Sequence, residues 1–216
     1  MRSGALALRG VTFFLAAARR YRSAVGQANN TKNKAKGKKM SEKDGKCMPK
    51  VLENIKKGYP IFQGIDRTVF REVLHNTFDI VTENTLMERI FCVWDKQNYG
   101  LITVENWFNG LSLYLKGTIS KQIDYCFAVY DLNADGYISK EEMFQLLSPP
   151  QDEDPDESVK DLVDIVMRKF DKDKDGKVSL ADFRETVEEE PLLLEAFGRC
   201  LPSEKSKTTF LTTLKS

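Results

Sequence analysis

The chain has 216 residues, 41% of them hydrophobic and 30% charged, enough for one sizeable domain or two small ones with length left over for tails. No apolar run approaches the ~18 residues of a membrane span, so a soluble protein without a transmembrane segment is expected. The 33 Lys and Arg against 32 Asp and Glu leave a net charge of +1, and the single histidine, His75, removes most zinc, triad and general-base chemistries.

Residues 1–49 read as a basic leader with no acid before Glu42. Its first part has the Arg-rich, acid-free composition of a mitochondrial transit peptide, and its second part is lysine-rich and low in apolar residues. A flexible tail, an import signal and a surface-binding basic arm all remain open for it. From about Cys47 the apolar residues recur at helical spacing. Phe70, Val73, Leu74, Thr77 and Phe78 form one face after Asp66, and Leu86, Ile90, Phe91 and Trp94 form a second. Residues 50–117 are read as an N-terminal lobe and 118–190 as a C-terminal pair of helix, loop, helix units. Segment 148–158, with three prolines and an acid cluster, is a linker. The helix from Glu157 to Phe170 is expected to bury Leu162, Ile165, Val166 and Phe170, and that from Leu180 to Glu189 to bury Phe183 and Val187. Residues 191–216 give a short apolar helix starting at Pro191 and then a polar tail. Cys47, Cys92, Cys126 and Cys200 form no CxxC pair, which suits a reduced intracellular compartment.

Loops opening at Asp95, Asp131 and Asp171 repeat at intervals that suit one helix, loop, helix unit plus a connector. A twelve-residue loop wraps Ca²⁺ by offering oxygens from positions 1, 3, 5, 7, 9 and 12, with glycine at position 6 for the sharp turn. DLNADGYISKEE meets that pattern with Asp131, Asn133, Asp135, the Tyr137 carbonyl, Ser139 acting through a water, and Glu142 as the two-oxygen ligand. DKDKDGKVSLAD follows with Asp171, Asp173, Asp175, the Lys177 carbonyl, Ser179 and Asp182. Aspartate at position 12 is one methylene short, so this loop is expected to discriminate less against Mg²⁺. The earlier loop, DKQNYGLITVEN, has Gln97, Tyr99 and Asn106 where carboxylates belong, and one charge does not offset dehydration of a divalent ion. It is expected to serve as a structural partner, with the helix after Asp66 as the remnant of its mate. The fold expected is all-α, built from paired EF-hand units with two Ca²⁺ sites.

Five segments, IDRTVFREVLHNTF, GLSLYLKG, DLNADGYISKEEMF, the EDPDE linker followed by KDLVDIVMRKFD, and ADFRETVEEEPLLLEAFGRCLP, together resemble the calaxin family, EF-hand proteins of ciliary and flagellar axonemes. The chain is more distantly similar to the neuronal calcium sensors. It departs from the family in the acid-poor first loop and in the basic leader. The resemblance implies a non-enzymatic calcium sensor in the cytoplasm and axoneme, whose partner is outer-arm dynein or its docking complex. A Ca²⁺ buffer, or a mitochondrial protein if the leader directs import, are the competing readings. No nucleic acid or small-molecule substrate is expected, and no GxxxxGK or GxSxG motif supports an enzyme. Phe127, Met143, Phe144 and Leu147 could line a groove opened by Ca²⁺ or could be closed core. The PLLLEAFG segment is a candidate internal ligand for that groove.

Overall fold

The computed structural model describes residues 64–148 and 157–213; the leader and most of the acidic linker lie outside them. Asp66 starts α1 (Arg67–Phe78) by accepting a hydrogen bond from the Val69 amide at 2.9 Å, the side-chain cap that exposed amides of a first turn require. α2 (Asn84–Trp94), α3 (Val104–Lys116) and α4 (Ile119–Tyr130) follow. A two-residue strand, β1 (Tyr137–Ile138), leads into α5 (Lys140–Leu147). After the linker come α6 (Glu157–Phe170), β2 (Val178–Ser179), α7 (Leu180–Glu189), a 3-10 turn (Pro191–Glu195) and α8 (Glu204–Thr213). The expected all-α, paired EF-hand fold is what the chain adopts.

Two short antiparallel contacts tie the units into pairs. Tyr137 faces Ser179 and Ile138 faces Val178. In the first half Ile65 and Ile102 exchange both backbone hydrogen bonds, each 2.9 Å. Ile102 is the eighth residue of its loop, so Ile65, just before α1, supplies the mate that the first loop needs. Phe70 meets Phe91, Trp94 and Trp107 edge-on, with centroids 5.2–6.4 Å apart. α3 crosses this cluster at Gly110, where a Cβ would come within 2.4 Å of the Trp94 ring, so any larger residue would force the helix outward.

In the second half Phe170 stacks on Phe183 at 5.4 Å and Tyr130 meets Phe183 at 6.1 Å. This stack fixes the rotation of α6, and it differs from the sequence expectation. Val159, Val163, Met167 and Phe170 are the buried residues, while Leu162 is 44% and Ile165 62% exposed; Val166 is half-buried. α6 carries two apolar stripes, and only tertiary contact decides which faces inward.

The C-terminal stretch is more than an apolar turn and a polar tail. Phe197 inserts between Tyr130 and Phe170, at 5.1 and 5.4 Å, while Leu192 stays 97% exposed. α8 then packs on α1, with Phe210 5.2 Å from Phe78. Where the halves meet lies a buried polar cluster. The Tyr114 hydroxyl donates to the Cys200 carbonyl at 2.9 Å and lies 3.0 Å from the Tyr125 hydroxyl. Tyr130 donates to the Gly198 carbonyl at 2.7 Å. Burial pushes the phenols of Tyr114, Tyr125 and Tyr130 well above their ordinary range, so they act as neutral hydrogen-bonding groups.

Asp79 ends α1 in the left-handed region, φ 55°, with its N–H on the His75 carbonyl and the next N–H, of Ile80, on the Leu74 carbonyl. A residue with a Cβ is disfavoured there by roughly 1 kcal/mol. Asp79→Gly is expected to raise stability by about that amount, read as an upward shift of the urea midpoint at unchanged slope.

Candidate metal centre

All three loops share one backbone course. Their fourth residues, Asn98, Ala134 and Lys174, have φ of 54°, 59° and 63°, and the glycines at position 6, Gly100, Gly136 and Gly176, have φ of 71°, 90° and 88°. In each, both oxygens of the opening aspartate accept amides from positions 5 and 6. Asp131 takes Asp135 N–H at 3.1 Å and Gly136 N–H at 2.9 Å. Asp171 takes Asp175 N–H at 3.2 Å and Gly176 N–H at 3.0 Å, and Asp95 takes Tyr99 N–H at 3.1 Å and Gly100 N–H at 2.7 Å. The turn is therefore set by aspartate and glycine alone, before any cation is considered.

The side chains then diverge. In loop 131–142, Asn133 Oδ1 accepts from the Asp135 amide and Asp135 Oδ1 from the Tyr137 amide, both at 2.9 Å. Buried Glu142 reaches across the loop. Its Oε1 accepts the Asn133 amide at 3.0 Å and its Oε2 the Ser139 amide at 2.8 Å. Ser139 in return caps α5 through the Glu142 amide, a capping box that fixes where position 12 points.

In loop 171–182 the carboxylate oxygens of Asp171, Asp173 and Asp175 lie within 4.8 Å of one another. The hydrogen bond from the Asp175 amide favours the Asp173 carboxylate. Partial desolvation and the charges of Asp175, Asp182 and Asp171 nonetheless carry its pKa above the usual value, the effect of like charges held close together. Asp182 accepts from Ser179, at 3.0 Å from N and 2.6 Å from Oγ, and, among the described residues, from no amide across the loop. The missing methylene is visible as this shorter reach. Lys177 and Tyr137, the position-7 residues, meet through a cation over an aromatic ring, 5.1 Å from the centroid.

Of the residues expected in each loop, Asp171, Asp173 and Asp175 bring their carboxylate oxygens together in loop 171–182. Hydrogen bonds tie Asp131, Asn133, Asp135, Ser139 and Glu142 into the same register in loop 131–142. Carboxylate and amide oxygens suit a hard divalent ion in kind. In loop 95–106 a hydrogen bond takes the corresponding place: Asn106 Nδ2 donates to Gln97 Oε1 at 2.6 Å, joining positions 3 and 12 without charge. Sequence reasoning noted the absent carboxylates there and missed this substitute, which only proximity in the fold reveals. It also missed Arg89, whose guanidinium on α2 donates to the carbonyls of Ala128 and Asp131 at the end of α4. Of the proposed groove residues, Phe127 and Met143 are buried and Phe144 and Leu147 partly so.

A family model for the EF-hand domain pair matches residues 120–188, spanning both acidic loops. Calaxin of Xenopus laevis is 54% identical over 153 residues, covering 68% of this chain and 73% of that protein. Calaxin of Homo sapiens is 52% identical over 152 residues, covering 68% and 72%. Calaxin of Bos taurus is 46% identical over 182 residues, covering 80% and 85%.

Proposed function

Because the chain belongs to the calaxin family of EF-hand proteins, a group of calcium-binding sensors and not of enzymes, we propose that it couples Ca²⁺ binding at two loops to a protein partner on axonemal dynein. The observation that carries this reading is the pair of acidic loops joined at Ile138 and Val178, the later of which gathers the carboxylate oxygens of Asp171, Asp173 and Asp175 within 4.8 Å of one another. Asp131, Asn133, Asp135, the Tyr137 carbonyl and Glu142 would hold one ion, with Ser139 acting through a water. Asp171, Asp173, Asp175, the Lys177 carbonyl, Ser179 and Asp182 would hold the other. The bound ion supplies the charge that draws these oxygens inward, and the helices attached to positions 1 and 12 follow.

Glu142 Oε1, which accepts the Asn133 amide, would have to leave it to ligate an ion, and α5 would swing with it, since the capping box makes Glu142 part of the first turn of α5. That swing would expose Phe144 and Leu147 beside Phe127 and Met143, an apolar face for a partner helix. The shorter Asp182 favours a tighter, six-coordinate arrangement, so Mg²⁺ competes better at loop 171–182. Outer-arm dynein or its docking complex in the cilium or flagellum is the partner that the calaxin resemblance suggests. No helix among the described residues is long and apolar enough to cross a membrane.

Affinity purification of the full chain with Ca²⁺ and with chelator tests this reading. Dynein or docking subunits retained only with Ca²⁺ are expected. Their absence from both would remove the axonemal assignment, and apolar-dye binding indifferent to Ca²⁺ would make the protein a buffer.

The first loop offers a complementary gain-of-function test. Its turn is already formed, so only charge is lacking. Gln97→Asp, Tyr99→Asp and Asn106→Glu combined are expected to add one Ca²⁺ equivalent in calorimetry, with unchanged stoichiometry counting against the account of this loop.

A further inference from the structure

Cys126 and Cys200 lie 74 residues apart in sequence, on α4 and on the segment that follows the 3-10 turn, yet their sulfurs are 3.3 Å apart. Both are fully buried. Cys200 is held from several sides: its amide donates to Glu195 Oε1 at 2.9 Å, the neighbouring Leu201 amide to the same oxygen at 2.8 Å, and Tyr114 donates to its carbonyl at 2.9 Å. Its sulfur also faces the Tyr130 hydroxyl at 3.6 Å. Cys126 is fixed by the middle of a regular helix. A bond between the sulfurs needs an approach of only about 1.2 Å, to about 2.05 Å.

We infer that Cys126 and Cys200 form a redox-active dithiol that a hydroperoxide converts to an intramolecular disulfide. One thiolate attacks the peroxide oxygen, forming a sulfenic acid and releasing a water or alcohol. The second thiol attacks that sulfur, the S–S bond forms, and the hydroxyl leaves with a proton as water. Two thiols lose two electrons and two protons to one peroxide.

Burial holds the Cys126 thiol protonated, its pKa well above the ordinary value, so the closed structure is slow to react and the peroxide gains access when segment 191–202 lifts. Closing again with the bond made staples that segment to α4. The ring runs from residue 126 to residue 200 and encloses both acidic loops. A dampened Ca²⁺ response in the oxidised form follows only if the sensor reading above holds; the cross-link itself does not depend on it.

The test uses the full chain carrying Cys47→Ser and Cys92→Ser, treated with hydrogen peroxide, alongside wild type. Peptide mapping is expected to show one Cys126–Cys200 cross-link, reversed by dithiothreitol, in a monomer whose thermal midpoint rises by about 5 °C or more. Thiols at 126 and 200 that still alkylate after peroxide treatment and denaturation, or that appear as sulfinic acids or in mixed disulfides, overturn the proposal. Mapping of the wild-type chain decides the matter even if the double variant folds poorly. Finally, a cross-link that leaves Ca²⁺-dependent dye binding unchanged would overturn the dampened response and leave the dithiol assignment standing, whereas dye binding indifferent to Ca²⁺ in the reduced chain would overturn the sensor reading alone.

Discussion

Glu142→Gln is expected to weaken Ca²⁺ binding at loop 131–142 by about a hundredfold, roughly 2.7 kcal/mol, while loop 171–182 keeps most of its affinity. The substitution keeps the size of the side chain and removes its charge. Gln still has one oxygen for the cap on α5, so the loop retains its backbone course; what is lost is the pair of equivalent anionic oxygens that a bidentate ligand needs. Glu142 is buried and already bonded to the amides of both Asn133 and Ser139, so it connects the entering and leaving arms of the loop. Calorimetry of the wild type and variant, with Asp171→Ala blocking the other loop in each, resolves the change. A difference below threefold would mean that Glu142 is no ligand.

Phe197→Ala carries the second large effect. Its ring is fully buried and lies against Tyr130 and Phe170, so truncation both removes apolar contact and leaves a cavity, a loss of about 3–5 kcal/mol. That is a large share of the stability of an ordinary domain. The contact also holds the 191–202 segment in place, and its release should raise apolar-dye binding in the absence of Ca²⁺. Chemical denaturation and dye fluorescence read the two effects separately. A variant as stable as wild type would show that the segment is not held by this ring.

The acidic loops were legible because their requirements are local. Asp131, Gly136 and Glu142 sit at fixed offsets in one short stretch, and the same offsets return at Asp171, Gly176 and Asp182. Most helices were legible for a related reason: one apolar stripe each, as along Phe70, Val73, Leu74 and Phe78. α6 was not, because Leu162 and Ile165 compete with Val159 and Val163, and the choice is made by the Phe170–Phe183 stack. α8 was missed because EKSKTTFLTT offers only Phe210 and Leu211, adjacent and therefore no helical stripe, and the partner of Phe210, Phe78, is far away in sequence. Likewise Gln97 and Asn106 announce a lack of charge when read in order, and a neutral clasp only when seen together.

Arg89 gives the two halves a common hinge pin. Its guanidinium grasps the carbonyls of Ala128 and Asp131 from the opposite half, and Asp131 is also the residue where the second loop begins. On the proposed sensor reading, any re-pitching of that last helical turn would tug on α2, and the lobe that carries loop 95–106 would serve as an output stage for an ion bound in the other half.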